Sequence, residues 1–451
     1  MLLFLPDLFI AQTTPPAKEL VKIQEVRPLP GKLDQIPTFN SNSPEKVLKP
    51  GILLSTFPPQ GKKMPAAHLN FPFQGRFDVF AHHVAQASSG KDLRTLYLGI
   101  LLHNPDQKTV KINVLQGASY LSQPDAPFIQ LPSFSQNILG RVFAGPGDRV
   151  MNDILRGRRR NIFPAQIIIP PRQSRMLLNA PIPVKDLTPP LNGRSTFARL
   201  HSNGKVYAAS LAMFAPTNDD DKERAPILKE WLNLLDNSEI AGPRDKAPTP
   251  PNATNGGIIY GRVAGVAQGS QWRALITDNN KVKYLTIPQP GKAYSYPLST
   301  VPGGTLGTQQ IQSAKMLVRY PDTAYSAHGN YGIQYNLQLP LYNKSKVSQR
   351  VTVSIQTPVK EDRLSQRGLR FFSTPVPQVF FRGTIRLRYK NDRGQRQTRY
   401  VHLVQRRGEP GKPLATLNIP ASDRRLVEVD FLYPPDATPP QVLTVSTPLD
   451  E

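Results

Sequence analysis

"LYLGILLHNPDQKTVKINVLQ", residues 96–116, decides the fold. Val110, Ile112 and Val114 alternate with Lys111 and Asn113. A two-residue period of this kind marks a strand with one buried face. The apolar run from Leu96 to Leu102 precedes it, and "HNPDQK" between them carries the Asn, Pro and Asp of a turn. The stretch therefore reads strand, turn, strand.

A second stretch reads the same way: "YNLQLPLYNKSKVSQRVTVSIQ", residues 335–356. Leu102 and Asn104 match Leu341 and Asn343, and Val110, Ile112 and Val114 match Val351, Val353 and Ile355 with two extra residues in the second turn. Further on, "IPPRQSRMLL" from Ile169 pairs with "IPASDRRLVEV" from Ile419. Asn343 lies 239 positions after Asn104, and Ile419 lies 250 after Ile169. "FAHH" also falls near "SAHGNYG", with His328 246 positions after His82. Matching strands in one order at a near-constant offset predict an internal duplication. The fold class expected is all-β: two β-sandwich domains with one short helical linker segment.

The expected division follows from composition. Residues 1–20 form a signal-like, extended N-terminus, and 21–215 the first β-sandwich. Residues 216–256 form a linker with a short helix, and 257–451 the second β-sandwich. In the linker, Ile227, Leu228, Trp231, Leu234 and Leu235 fall at helical spacing after an acidic run. "AGPRDKAPTPPNATNGG" follows as a connecting segment.

The 451 residues include 47 prolines, roughly double the usual share of about 5%. Proline is excluded from helix interiors and central strands, so this abundance suits a loop-rich β protein. There are 56 Lys and Arg against 32 Asp and Glu, giving a net charge of +24 and a pI near 10.1. Such a field attracts polyanions. No cysteine is present, which removes disulfides, thiolate zinc sites and thiol catalysis. The apolar stretch Leu2–Ala11 resembles a secretory leader, interrupted by Pro6 and Asp7. Elsewhere no apolar run is long enough for a membrane helix.

Three stretches could carry a site. In "RFDVFAHHVA", residues 76–85, adjacent side chains of a strand point to opposite faces. His82 and His83 therefore cannot chelate one ion, and no metal site is expected. Asp78 and His82 share a face and could line a polar pocket. "RYPDTAYSAHGNYGIQY", residues 319–335, gathers Asp322, Tyr325, His328 and Tyr331 among further tyrosines. Aromatic rings with polar neighbours hold sugars and peptides. "VFFRGTIRLRYK", residues 379–390, alternates Phe381, Ile385, Leu387 and Tyr389 with Arg382, Arg386, Arg388 and Lys390. Those four cations would form a linear track for a polyanion, or a charged strand edge protected from aggregation. "RGRRR", residues 156–160, is a second basic cluster. No Gly-x-Ser-x-Gly, nucleotide-binding loop or His-Glu-x-x-His occurs, so no catalytic residue and no cofactor are expected.

The stretches "FPFQGRFDVFAHHV", "LYLGILLHNP", "ASYLSQPDAPF", "FAGPGDRVMNDILRG", "GGIIYGRVAGVAQGSQW" and "MLVRYPDTAYSAHGNYGIQY" carry a resemblance. From about residue 20 onward the chain resembles a cyanobacterial family known as domain of unknown function number 3370. That resemblance implies a cyanobacterial, exported protein and brings no activity or site residue with it.

The sequence thus points to an exported, non-catalytic protein of the periplasm or cell envelope. Its partner would be an anionic envelope polymer or glycan, and not nucleic acid. The alternative is a carbohydrate-active, hydrolase-like enzyme on a β scaffold, since paired carboxylates need no sequence signature.

Overall fold

A computed structural model describes residues 18–87, 92–253 and 256–449. The leader-like stretch Leu2–Ala11 and the loop Ser88–Lys91 lie outside the described residues. Strands hold 47% of the residues and helices 5%, so the protein is all-β.

The strand Leu191–Phe214 organises the first sandwich. Its first part, residues 191–202, lies between Phe73–Gln86 and Val110–Leu121. Its second part, residues 207–214, lies between Gly51–Ser55 and Leu96–His103. The register breaks between Ser202 and Val206. There the chain turns a corner and passes from one sheet to the other, as strands of orthogonal sheets do. Phe77, Val79, Leu98, Ile100, Ile112, Leu178 and Leu200 fill the space between.

The second sandwich packs two sheets around its own core. One runs Glu25–Val26, Lys292–Leu298, Gln441–Thr447, Gln349–Gln356, Pro413–Ile419. The other runs Phe134–Gln136, Arg396–Arg406, Val379–Lys390, Arg424–Leu432, Gln334–Tyr342, Gln271–Leu275, Lys32–Leu33. Leu337, Leu339, Ile385, Leu387 and Val429 from the latter meet Val351, Val353, Leu417 and Val445 from the former.

Strand pairing interleaves across the expected boundaries. Glu19–Lys22 pairs with Leu369–Phe372, and Lys32–Leu33 pairs with Gln271–Leu275. In return, Ala264–Gln268 sits between Pro37–Ser41 and Ala314–Arg319 in the first sandwich.

Two asparagines hold equivalent places. Asn104 is wholly buried, and its Nδ2 donates to the carbonyls of Lys108, Ile169 and Pro170 at 2.8–3.0 Å. Asn343 is wholly buried too, and its Nδ2 donates to the carbonyls of Val347, Ile419 and Pro420 at 2.8–3.1 Å. In each case the Oδ1 caps the turn by accepting a backbone N–H two residues on. Both turns therefore have one length, and the two extra residues expected in the second are not there. Ile112 stands opposite Ile167, and Val351 opposite Leu417. Val351 thus occupies the place of Ile112, not of Val110. The matching of His82 with His328 also fails: His82 lies inside Phe73–Gln86, whereas His328 follows the two-residue strand Ser326–Ala327.

The linker helix forms as expected over Leu228–Asn237, burying Trp231, Leu234 and Leu235. Trp231 lies against Gly99, where any β-carbon would stand 2.9 Å from the indole. A second helix, Pro146–Leu155, belongs to an excursion over residues 122–165 that docks on the second sandwich. There Asp148 Oδ2 meets His402 Nε2 at 2.7 Å, both side chains fully buried. Val150, Met151, Ile154 and Leu155 pack with Phe80, Phe197 and Tyr120 of the first sandwich and with Leu432 of the second.

Two expectations can be measured by denaturant unfolding. Asn104→Asp and Asn343→Asp each replace an N–H donor with an oxygen facing three carbonyls. Each should lower stability by about 2–3 kcal/mol, and by similar amounts if the two places are equivalent. His402→Ala leaves the Asp148 carboxyl buried beside a void and should cost about 3–5 kcal/mol; a loss under about 0.5 kcal/mol would mean that the contact is idle.

Candidate functional site

The histidine pair is scaffold on one side and junction on the other. His83 is buried, with Nε2 at 2.9 Å from Ser41 Oγ and Nδ1 at 2.8 Å from the Pro44 carbonyl. The carbonyl can only accept, so Nδ1 carries the proton and Nε2 accepts from the serine. Burial pushes the pKa of His83 down to about 3. On the opposite face, His82 Nδ1 bonds Ser195 Oγ at 2.7 Å, and its Nε2 lies 3.8 Å from Glu45. Burial, helped by Arg262, pushes it to about 4, so both rings are neutral at pH 7. Asp78 does not share a pocket with His82. Its buried carboxyl lies 2.6 Å from Arg76 and 3.6 Å from Arg199. Burial raises its pKa against the pull of both arginines. Arg199 also donates to Gln334 at 2.8 Å, so this ion cluster belongs to the contact between the sandwiches.

The tyrosine-rich stretch divides. Asp322 forms a two-pronged pair with Arg244 at 2.7 and 3.1 Å, which holds its carboxyl below the usual range. Tyr325 lies under the Arg319 guanidinium, 3.9 Å from ring centre to carbon. His328 and Tyr331 alone of the four line a cavity at the sandwich junction.

The arginine strand is not an edge, because Val379–Lys390 runs between Arg396–Arg406 and Arg424–Leu432. Its alternation is as expected, with Phe381, Ile385 and Leu387 in the core. Its cations, however, do not form an open track. Arg386 is 3.1 Å from Asp430, Arg388 is 3.2 Å from both Glu428 and Asp430, and Arg382 is 3.7 Å from Asp436. The excursion covers the middle of this face: Asn137 Nδ2 donates to Thr384 at 3.0 Å, and Phe128 lies 5.6 Å from Arg382. "RGRRR" is engaged as well. Arg158 and Arg160 both bond the buried Asp153, and Arg156 stacks on Tyr400 at 3.8 Å.

What stays open is the mouth of the hairpin. Asn391 Oδ1 accepts the N–H groups of Arg393 and Gln395, both at 3.0 Å, and Gly394 supplies the positive φ of +75° that closes the turn. Lys390 then stands directly opposite Arg396. Among the described residues neither cation has a carboxylate partner, nor has the exposed Arg424, whose guanidinium lies 5.0 and 5.1 Å from the rings of Tyr284 and Tyr342. Five cations, Arg388, Lys390, Arg396, Arg424 and Arg425, and two carboxylates, Asp423 and Glu428, line a groove of about 660 Å³ there. Lys390 and Arg388 were legible from the alternation; Arg424 comes from a strand that only the fold brings alongside.

Among the described residues no three His, Asp or Glu side chains are placed to hold a metal, and no helix is long and apolar enough to cross a membrane. The class defined is an interlocked pair of β-sandwiches with a cationic groove at one end. Residues 24–447 match the family described as "Protein of unknown function (DUF3370)", and the chain belongs to it. No curated protein matches the chain. Among solved structures, coconut allergen cocosin is 9% identical with a TM-score of 0.11, and recombinant pro-11S globulin of pumpkin is 8% identical with a TM-score of 0.10. Each comparison covers 89% of this chain and 86% of the other, and at such scores the likeness carries no argument.

Asp436 gives this face a pH dependence. Burial, against the pull of Arg382, pushes its pKa up to about 7. Above its unfolded value and below about 7, the folded protein keeps a proton that the unfolded chain has released. Its contribution to stability therefore falls as pH rises through that window. Asp436→Asn should flatten this part of a stability–pH profile and raise stability above pH 7; an unchanged profile would show that Asp436 ionises normally.

Proposed function

We propose that the protein is an exported, non-catalytic component of a cyanobacterial cell envelope, and that it holds an anionic polymer or glycan at the mouth of the arginine hairpin. The observation that carries this reading is Lys390 facing Arg396, neither of them in an ion pair among the described residues. Like charges directly opposite on paired strands repel. A polyanion laid across them would relieve that repulsion and release its own counterions. The net charge of +24 draws such a partner in from a distance. The leader-like stretch Leu2–Ala11 supports export, and export would keep the protein from nucleic acid. We infer further that the two sandwiches descend from one duplicated unit; the matching bridges of Asn104 and Asn343 support this.

The test uses alginate, a linear polyuronate, immobilised and presented to the full chain. Binding should be firm at low salt and fall steeply with added salt. Lys390→Glu with Arg396→Glu should weaken it by about tenfold or more, with stability changed by no more than about 0.5 kcal/mol because both side chains are exposed. Binding that ignores salt, or that survives both substitutions, would leave the hairpin mouth as a solvated turn.

A further inference from the structure

The cavity that His328 and Tyr331 line is about 560 Å³ in volume. This is within the size range of small-ligand sites. Its walls come from separate parts of the chain: residues 40–45, residues 245–246 and 259–263, the loop at 327–331, the turn at Ala437–Pro439, and the single residues Val301 and Lys360. The two sandwiches and the linker meet here.

The lining is built, and it is incomplete. Asn40 and Asn42 lie two residues apart and share a face, opposite to the core side chain of Phe39. They are 4% and 5% exposed, and the Oδ1 of each has no hydrogen-bond partner. Buried polar atoms are normally satisfied, and an unpaired one costs about 1–3 kcal/mol. Two side by side in one cavity call for donors from outside the chain.

Both carboxylates here are matched to Arg262, while the lining residues Lys246 and Lys360 have no carboxylate partner among the described residues. Glu45 is paired with Arg262, and Asp245 accepts from Ser43 Oγ at 2.7 Å and lies 3.7 Å from Arg262. Lys360 Nζ donates to the Tyr260 hydroxyl. The aromatic walls are Tyr260, whose ring is 4.9 Å from His328, and Tyr331, which lies so close to Gly329 that a β-carbon there would come within 2.4 Å of the ring. His328 Nδ1 is occupied by Ser313 Oγ at 3.1 Å.

We propose that this junction cavity is a binding site for a neutral saccharide unit. Sugar hydroxyls would donate to the two amide oxygens and accept from the amide nitrogens, while a tyrosine ring covers the apolar face of the sugar. With Glu45 and Asp245 set against Lys246, Arg262 and Lys360, the lining carries little net charge to hold a polyanion. The site is independent of the hairpin groove and does not rest on it.

The experiment titrates maltose and, separately, N,N′-diacetylchitobiose into the full chain by calorimetry. At least one should bind with a Kd of about 1 mM or tighter. Asn42→Leu and Tyr260→Ala should each weaken it by about tenfold. The affinity should not change between about 50 and 300 mM salt, nor in the Lys390→Glu, Arg396→Glu protein, which separates this site from the groove. Should Asn42→Leu fail to fold, Tyr260→Ala and Lys360→Ala, both at the cavity wall, decide. No heat from either sugar at about 20 mM, or binding that all of these substitutions leave intact, would overturn the proposal and leave a water-filled junction.

Discussion

The buried contact between Asp148 and His402 is the constraint on which the arrangement turns. Asp148 sits on a ten-residue helix that has little reason to form alone, since helices this short are marginal in water. The helix exists because its apolar side is taken up by both sandwiches at once. A hydrogen-bonded polar pair buried in that contact adds little net stability but fixes how the two surfaces meet. With the excursion docked, the middle of the arginine strand is partly covered and the hairpin end is left open. The same docking sets Leu432 and the turn after it against the first sandwich, which frames the junction cavity.

Local periodicity was readable, and cross-strand partnership was not. The alternation along Val379–Lys390 correctly separates Phe381, Ile385 and Leu387 from the arginines. Nothing in that stretch says that Glu428 and Asp430 will lie beside Arg386 and Arg388, some forty residues away in sequence. The opposite faces of His82 and His83 followed from the strand period, and each histidine found a serine that the period does not name. Matching apolar with apolar residues placed Val351 on Val110. The ladder instead puts Gln349 there, because the asparagine-capped turn fixes the register. The helix Pro146–Leu155 hid behind its Pro-Gly start, although Val150, Met151, Ile154 and Leu155 have helical spacing.

The site was legible only as ingredients. Asn40 and Asn42 carry no sequence signal, being two ordinary amides next to "SNSPEK". Their significance comes from burial without partners, and burial there depends on loops drawn from the far half of the chain. Lys390 and Arg396 flank an evident turn, so their proximity was within reach; their lack of an ion pair was not.

The interleaved pairing has a consequence for how the chain reaches this state. Lys32–Leu33 finds its place only beside Gln271–Leu275, and Pro37–Ser41 is flanked on one side by Ala264–Gln268. During synthesis the early strands emerge long before these neighbours, and their open hydrogen-bonding edges must wait. Loops of more than two hundred residues close late and slowly. Each sandwich is then completed only by strands drawn from both halves of the chain. Until then its edges are open to wrong strand partners, and a net charge of +24 is a physical means of keeping other copies away meanwhile.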